Sequence, residues 1–165
     1  MRYRLKKKLW STRLRYEILA PDETPLFEVV GKLLALRTTL TFSSAVGDEI
    51  ARIQQRLLAL RSTYVLHRDG EPEVRIRRML RPLFKPRYEI EVPGAEPIVC
   101  LGNFWEQEFT FERGGRGIGT VSKKLFSWAD SYGVDLEDDE DQVLLLAATI
   151  VVDLVAGESS GSGVE

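Results

Sequence analysis

Short segments in which apolar and polar residues alternate recur along most of the chain. Residues 74–77 (VRIR), 88–92 (YEIEV) and 109–112 (FTFE) are clear examples. A period of two is typical of a strand with one buried face. Turn-forming residues such as Asp69 and Gly70 separate these segments. Glycine and proline favour turns because glycine tolerates positive φ and proline fixes φ. The pattern therefore predicts about twelve short antiparallel strands.

The alternating segments belong to a longer internal repeat. The blocks KLWSTR (8–13), KLLALR (32–37) and RLLALR (56–61) begin 24 residues apart, and an alternating run follows each of them. Looser copies begin near Arg78, Gly102 and Lys124. A fixed period of this length indicates one supersecondary unit repeated along the chain. We predict six units of two strands each.

One apolar segment near the end of the chain breaks the pattern. Residues 143–152 contain a single polar residue, Thr149, and a segment that is hydrophobic all round must be buried or in a membrane. Spanning a bilayer takes about 20 apolar residues, and Asp153 interrupts the segment before that length. The acidic residues before it favourably oppose the positive end of a helix macrodipole. The segment therefore predicts a helix over about residues 141–156.

These elements together predict a mainly β protein, a closed antiparallel barrel of about twelve strands that encloses one C-terminal apolar α-helix. Closure removes exposed sheet edges, and a barrel of this size has an interior wide enough to need filling. The barrel and its central helix are expected to occupy residues 1–156. Residues 157–165 are rich in Gly and Ser and are expected to form a disordered tail.

Composition limits the chemistry that the chain is expected to perform. Its 165 residues fit one domain, and 44% hydrophobic with 29% charged residues are ordinary globular values. A single cysteine, Cys100, and a single histidine, His67, predict neither an internal disulfide nor a Cys- or His-based metal centre. No secretory signal follows the basic start. We find no catalytic set, and we expect no enzyme activity, no cofactor and no metal.

The charges are unevenly distributed along the chain. Residues 1–90 carry 19 Lys and Arg against 10 Asp and Glu, whereas residues 91–165 carry 4 against 15. If the strands run up and down, the connections inside the units lie at one end of the barrel and those between units at the other. Basic residues flank the former and acidic residues fill the latter. The sequence therefore predicts a basic rim and an acidic rim.

Several motifs match a known family. They are RYRLKKKL (2–9), IQQRLLALRSTY (53–64), GNF (102–104), VSKKLFS (121–127) and the closing apolar segment. Over residues 1 to about 156 the chain resembles the LURP-one-related family. The resemblance implies the fold of the tubby C-terminal domain and the phospholipid scramblases, a twelve-stranded barrel around a central helix. Tubby-type members bind phosphoinositide head groups at a basic surface site.

The predicted function is that of a non-enzymatic binding module that engages anionic phospholipid head groups, or a membrane surface, through the basic rim. A concentrated positive potential attracts anionic surfaces. The candidate anionic-ligand-binding residues are Lys6, Lys7, Lys8, Arg13, Arg77, Arg78, Arg81, Lys123 and Lys124. The alternative is a structural or protein-interaction scaffold of unknown partner, and nucleic acid is a less favoured ligand. The expected location is the cytoplasm, with at most peripheral contact to a membrane.

Some basic and aromatic residues also have a structural interpretation. Arg13, Arg37 and Arg61 recur at an even spacing, which fits arginines that bond loop carbonyls or neighbouring acids. By contrast, the lysines at 6–8 and the arginines at 77–78 are expected to be free positive charges. The aromatic residues of the basic blocks are expected to cap the barrel core, with insertion into a membrane interface as the alternative. These aromatic residues are Trp10, Phe126 and Trp128.

Overall fold

A computed structural model describes residues 1–11, 13–32, 37–57, 62–79, 87–103, 106, 108–123 and 131–161. These residues form twelve strands and one helix. The strands are β1 (Arg2–Trp10), β2 (Arg13–Leu19), β3 (Pro25–Lys32), β4 (Thr39–Ser44), β5 (Glu49–Gln55), β6 (Thr63–His67), β7 (Val74–Met79), β8 (Arg87–Glu91), β9 (Ile98–Asn103), β10 (Glu108–Arg113), β11 (Arg116–Ser122) and β12 (Ser131–Leu136). The helix is α1 (Gln142–Gly161).

The strands form a closed up-and-down barrel. Each strand pairs antiparallel with the next one along the chain, and β12 pairs with β1 to close the sheet. The six predicted units are the six hairpins from β1–β2 to β11–β12. The predicted mainly β class, the closed twelve-stranded antiparallel barrel and the single C-terminal helix are thereby confirmed.

The topology gives the barrel two chemically different ends. We call the end that carries the connections inside the six hairpins the loop end, and the end that carries the connections between hairpins the turn end. The N-terminal amino group lies at the turn end, where it donates a hydrogen bond to the carbonyl oxygen of Leu136 at 2.6 Å. Each strand therefore has one terminus at each end.

The interior is filled by the helix and by inward-facing strand residues. In α1 every residue from Leu144 to Ala156 is buried. Equivalent positions of four hairpins place Tyr16, Tyr64, Tyr88 and Tyr132 inside the barrel, each at most 2% exposed. The alternation that predicted the strands thus supplies the apolar surface that the helix packs against.

The start of α1 is fixed at the turn end by the acidic residues that precede it. Asp141 is the N-cap, because its Oδ1 accepts a hydrogen bond from the backbone N–H of Leu144 at 3.0 Å. Its Oδ2 lies 2.7 Å from a guanidinium nitrogen of Arg68. Next to it, Glu140 lies 2.7 Å from Arg113. The helix therefore begins one residue after the expected boundary, held by both capping and ion pairing.

The end of α1 differs from the expectation. The helix continues to Gly161, so residues 157–161 extend the helix and are not part of a disordered tail. A helix already formed inside the barrel gains one hydrogen bond for each residue added, which offsets the low propensity of Gly and Ser. The rest of the expected tail, residues 162–165, lies outside the described residues. Within the described part of the chain, no helix is long and apolar enough to cross a membrane.

Candidate functional site

Uncompensated positive charge is concentrated at the loop end. Five basic side chains there make no ion pair with any described residue: Arg13, Lys32, Arg37, Arg87 and Lys123. Each of them begins a strand, ends a strand or lies in a connection inside a hairpin. The predicted basic rim is therefore present among the described residues.

The turn end has the opposite sign. Four acidic side chains in the connections between hairpins make no ion pair with any described residue: Asp22, Asp48, Asp69 and Glu96. The basic residues at this end are mostly compensated, since Arg68, Arg113 and Arg116 each lie within 4.0 Å of a carboxylate in residues 137–141. An exception is Arg75 on the outer face of β7, which makes no ion pair with a described residue.

An exposed apolar tip extends from the loop end. Trp10 is 86% exposed, and Leu9 and Leu57 are each 57% exposed. Ser11 turns the chain with a positive φ of 57° directly after Trp10. The expectation that Trp10 caps the barrel core is therefore wrong. Strand alternation explains the exposure of Trp10, because Tyr3 and Leu5 face inward and Trp10 lies on the opposite face of β1.

The exposed tryptophan adjoins two of the uncompensated cations. Arg13 is opposite Trp10 in the β1–β2 register and opposite Lys32 in the β2–β3 register. Side chains directly opposite each other on one face are close neighbours, and like charges in this arrangement destabilise a sheet. We call Trp10, Arg13 and Lys32 the Trp10 row. It combines one aromatic ring with two adjacent positive charges that no described acid neutralises.

The lysines of residues 6–8 have different roles from those expected. The Nζ atom of Lys7 faces the interior, 2.6 Å from Oδ2 of Asp153 on the helix and 5.8 Å from the ring centroid of Tyr16. The hydroxyl of Tyr16 donates to the same oxygen at 2.5 Å. Burial raises the pKa of Tyr16 well above its usual value, and the nearby Asp153 raises it further. Lys7 therefore fixes the helix to β1 and β2.

The two flanking lysines lie on the outer face and are also paired. Lys6 Nζ is 2.9 Å from Oε2 of Glu23, and Lys8 Nζ is 3.1 Å from Oε1 of Glu17. Hydrogen bonds from Lys6 and Arg4 hold the pKa of the Glu23 carboxyl below its usual range. The expectation that Lys6, Lys7 and Lys8 carry free positive charge is therefore wrong, because neighbouring strands and the helix supply acids.

The remaining candidate residues divide into three groups. Arg77 forms an ion pair with Glu91, and Arg78 has an interaction of its own, so the expectation that these two are free charges is wrong. Arg81 and Lys124 lie outside the described residues, as do Arg61, Phe126 and Trp128. Arg13 and Lys123 are exposed at the loop end, as predicted.

Three uncompensated cations at the loop end were not among the candidate ligand-binding residues. These cations are Lys32, Arg37 and Arg87, which lie at the loop end with Arg13 and Lys123. Each is a single basic residue, whereas the lysines at 6–8 form a run of high charge density in the sequence. The useful signal is position, since a basic residue at a strand terminus has fewer cross-strand neighbours to neutralise it. Arg37 donates a hydrogen bond of 2.9 Å to Gln54 Oε1, a side-chain amide on β5 and neither a loop carbonyl nor an acid.

Other chemistry is sparse in the described part of the chain. No group of three or more His, Cys, Asp and Glu is placed there to hold a metal ion. Cys100 is fully buried, and burial raises the pKa of its thiol well above the usual value. The charged and apolar surface at the loop end is thus the feature that stands out from the barrel.

Comparison with known proteins supports the resemblance found in the sequence. A family model described as LURP-one-related matches residues 1–153, which include all twelve strands and most of the central helix. The chain belongs to the LURP-one-related family.

A curated relative in Bacillus subtilis (strain 168) is 28% identical over 151 residues, which cover 92% of this chain and 91% of the relative. It is named "Uncharacterized protein YxjI". The similarity therefore extends over nearly the whole length of both proteins.

Proposed function

We propose that the loop end binds the anionic head groups of a phospholipid surface, and that the protein acts by binding and not by catalysis. The observation that carries the proposal is the Trp10 row. Arg13 and Lys32 face each other without an acidic partner among the described residues, beside a tryptophan that is 86% exposed. An anionic surface would relieve this repulsion, and an amphipathic indole ring is favoured at the membrane interface.

The expected strength of this binding is modest. Each Lys or Arg near an anionic membrane contributes about 1 kcal/mol. Of the five uncompensated cations Arg87 is half-buried, and the four exposed ones contribute about 4 kcal/mol together: Arg13, Lys32, Arg37 and Lys123. A free energy of about 4 kcal/mol alone corresponds to a dissociation constant near the millimolar range. Exposed Trp10 and Leu9 add apolar contact. We therefore expect reversible, salt-sensitive and peripheral association.

The family resemblance supports the same proposal. It implies a fold shared with the tubby C-terminal domain and the phospholipid scramblases, and tubby-type members bind phosphoinositides at a basic surface site. The cytoplasmic leaflet is the anionic one, so binding of this kind places the protein at the cytoplasmic face of a membrane.

Vesicle flotation tests the proposal. We expect the protein to float with phosphatidylcholine vesicles that contain phosphatidylserine, and not with phosphatidylcholine alone. Flotation should weaken between about 0.1 M and about 1 M salt, because the Debye length falls from about 10 Å to about 3 Å. Absence of flotation with anionic vesicles at the lower salt concentration would refute the proposal.

Matched variants separate the loop end from general charge. Arg13→Gln with Lys32→Gln should reduce flotation, whereas Arg52→Gln with Arg75→Gln removes the same net charge away from the loop end and should not. Trp10→Ala should also reduce flotation. Its control is Val46→Ala, since Val46 is equally exposed but lies at the turn end. Equal effects of the two charge pairs would contradict the assignment to this end.

The alternative of a protein-interaction scaffold is favoured by one specific observation, the uncompensated acids of the turn end. A partner recognised there would carry a basic surface. Reversing the charge of Asp48 or Asp69 would weaken its binding, whereas Arg13→Gln would leave the binding unchanged. The two functions are thus assigned to opposite ends of the barrel.

A further inference from the structure

An open groove of about 490 Å³ crosses the outer face of β10, β11 and β12. Its lining includes Thr110, Glu112, Gly117, Thr120, Asp135 and Glu137. A Cβ atom added at Gly117 would have no neighbour within 4 Å, so the groove is open above that residue. The threonine hydroxyls and the carboxylates offer hydrogen-bond acceptors to an incoming group.

The groove carries uncompensated negative charge. Glu112 makes no ion pair with any described residue. Asp135 is held by Arg2 at 2.8 Å, and Glu137 is 4.0 Å from Arg116, both in exposed pairs that solvent screens. A cationic group therefore suits this surface.

The tip of the β1–β2 hairpin has the complementary chemistry. Trp10 and Leu9 are exposed at the tip, and Arg13, which makes no ion pair with any described residue, adds positive charge beside them. The hairpin is two antiparallel strands wide, and its strands lie about 5 Å apart. The chain thus displays both an acidic groove and a basic, aromatic tip.

The two surfaces of one copy are too far apart to meet. Asp135 in the groove is opposite Arg2 in the β1–β12 register, and Trp10 is at the other terminus of β1. Eight residues of strand span about 26 Å. The tip can therefore reach a groove only on another molecule.

We propose that a second copy of this chain docks its β1–β2 tip into the groove across β10–β12. Every copy offers both surfaces, so the contact is heterologous and builds a ring or an open chain of molecules. The proposal does not depend on the lipid-binding function, although it uses the same tip. A tip docked in a neighbouring groove is withdrawn from a membrane, which makes self-association and membrane binding mutually exclusive.

Cysteine cross-linking tests the contact without any lipid. The double variant Ser11→Cys with Thr120→Cys should form a ladder of disulfide-linked oligomers under mild oxidation. Its two sites are much farther apart within one chain than the roughly 7 Å between Cα atoms that a disulfide allows. The control is Ser11→Cys with Thr41→Cys, because Thr41 lies on β4 outside the groove, and Cys100 is buried in both variants. Equal ladders from the two double variants would overturn the proposal.

Charge exchange provides a second measurement by sedimentation velocity. Arg13→Glu and Glu112→Arg should each lower the association constant about tenfold, because an attractive pair becomes a repulsive one. Combining both changes in one chain restores opposite signs across the contact and should restore association. Failure of the double exchange to recover, or a wild-type chain that stays monomeric at every concentration, would refute the inference. Flotation results do not enter either measurement, so the two proposals fail separately.

Discussion

Replacing Lys7 by Met removes a cation from a largely buried ion pair. The Asp153 side chain is 7% exposed and its Oδ2 accepts from Lys7 Nζ at 2.6 Å and from Tyr16 at 2.5 Å. Removing one partner of a buried pair costs about 3–5 kcal/mol, because the other charge is left uncompensated. Lys7 is itself 30% exposed, so solvent screening lowers the expected loss to about 2–3 kcal/mol.

A loss of this size is measurable by urea denaturation, since a chain of 165 residues has a stability of about 8–25 kcal/mol. Lys8→Met is the control, because Lys8 is 62% exposed in its pair with Glu17 and such pairs contribute at most about 1 kcal/mol. In an Asp153→Asn background the effect of Lys7→Met should shrink below about 1 kcal/mol. Equal losses for Lys7→Met and Lys8→Met, or an unchanged loss in that background, would refute the reasoning.

Three further predictions concern the tyrosines, one glycine and the helix cap. Burial raises the pKa of Tyr16 and Tyr132, and the carboxylate of Asp153 on α1 raises it further. At high pH the folded chain therefore keeps protons that the unfolded chain loses. The contribution of each tyrosine to the free energy of unfolding should be complete below about pH 10 and should fall above it by about 1.4 kcal/mol per pH unit. The measurement is the urea midpoint as a function of pH. Gly102→Ala should cost about 1–3 kcal/mol in urea denaturation, because φ is +145° and a Cβ would lie 2.4 Å from a backbone oxygen, whereas Gly117→Ala should be nearly neutral. Asp141→Ala should lower stability by more than about 1 kcal/mol, because it removes both the N-cap and the ion pair with Arg68, and the loss is measured as a lower thermal midpoint.

The architecture could be predicted because its determinants are local in the sequence. The period of two, the 24-residue repeat and the continuous apolar segment each specify an element without reference to distant residues. The closed barrel could be predicted because strand edges need partners and the apolar helix needs to be buried. The end of the helix at Gly161 was not predicted, because the composition of residues 157–161 gives no sign that a helix already packed inside the barrel continues through them.

The roles of Lys6 and Lys7 could not be predicted, because the partner of each is remote in sequence. Lys6 and Glu23 are 17 residues apart, and Lys7 and Asp153 are 146 apart. Alternation alone places Lys7 on the inner face, since Leu5 is inside. It does not show that the carboxylate of Asp153 on the helix lies beside Lys7. The fold pairs Lys6 and Lys8 with glutamates on the outer face and Lys7 with an aspartate of the helix.

The contrast between two neighbouring positions on β2 supports the proposal that the Trp10 row binds an anionic surface. Arg15, two residues from Arg13 on the same face, lies 3.0 Å from Glu28 of β3. An acid of β3 thus neutralises Arg15, whereas the residue of β3 opposite Arg13 is Lys32. Like charges directly opposite cost about 0.2–1 kcal/mol, and proteins tolerate such local costs mainly where function needs them. Arg15 therefore has an acidic partner across the strands, whereas Arg13 has none among the described residues.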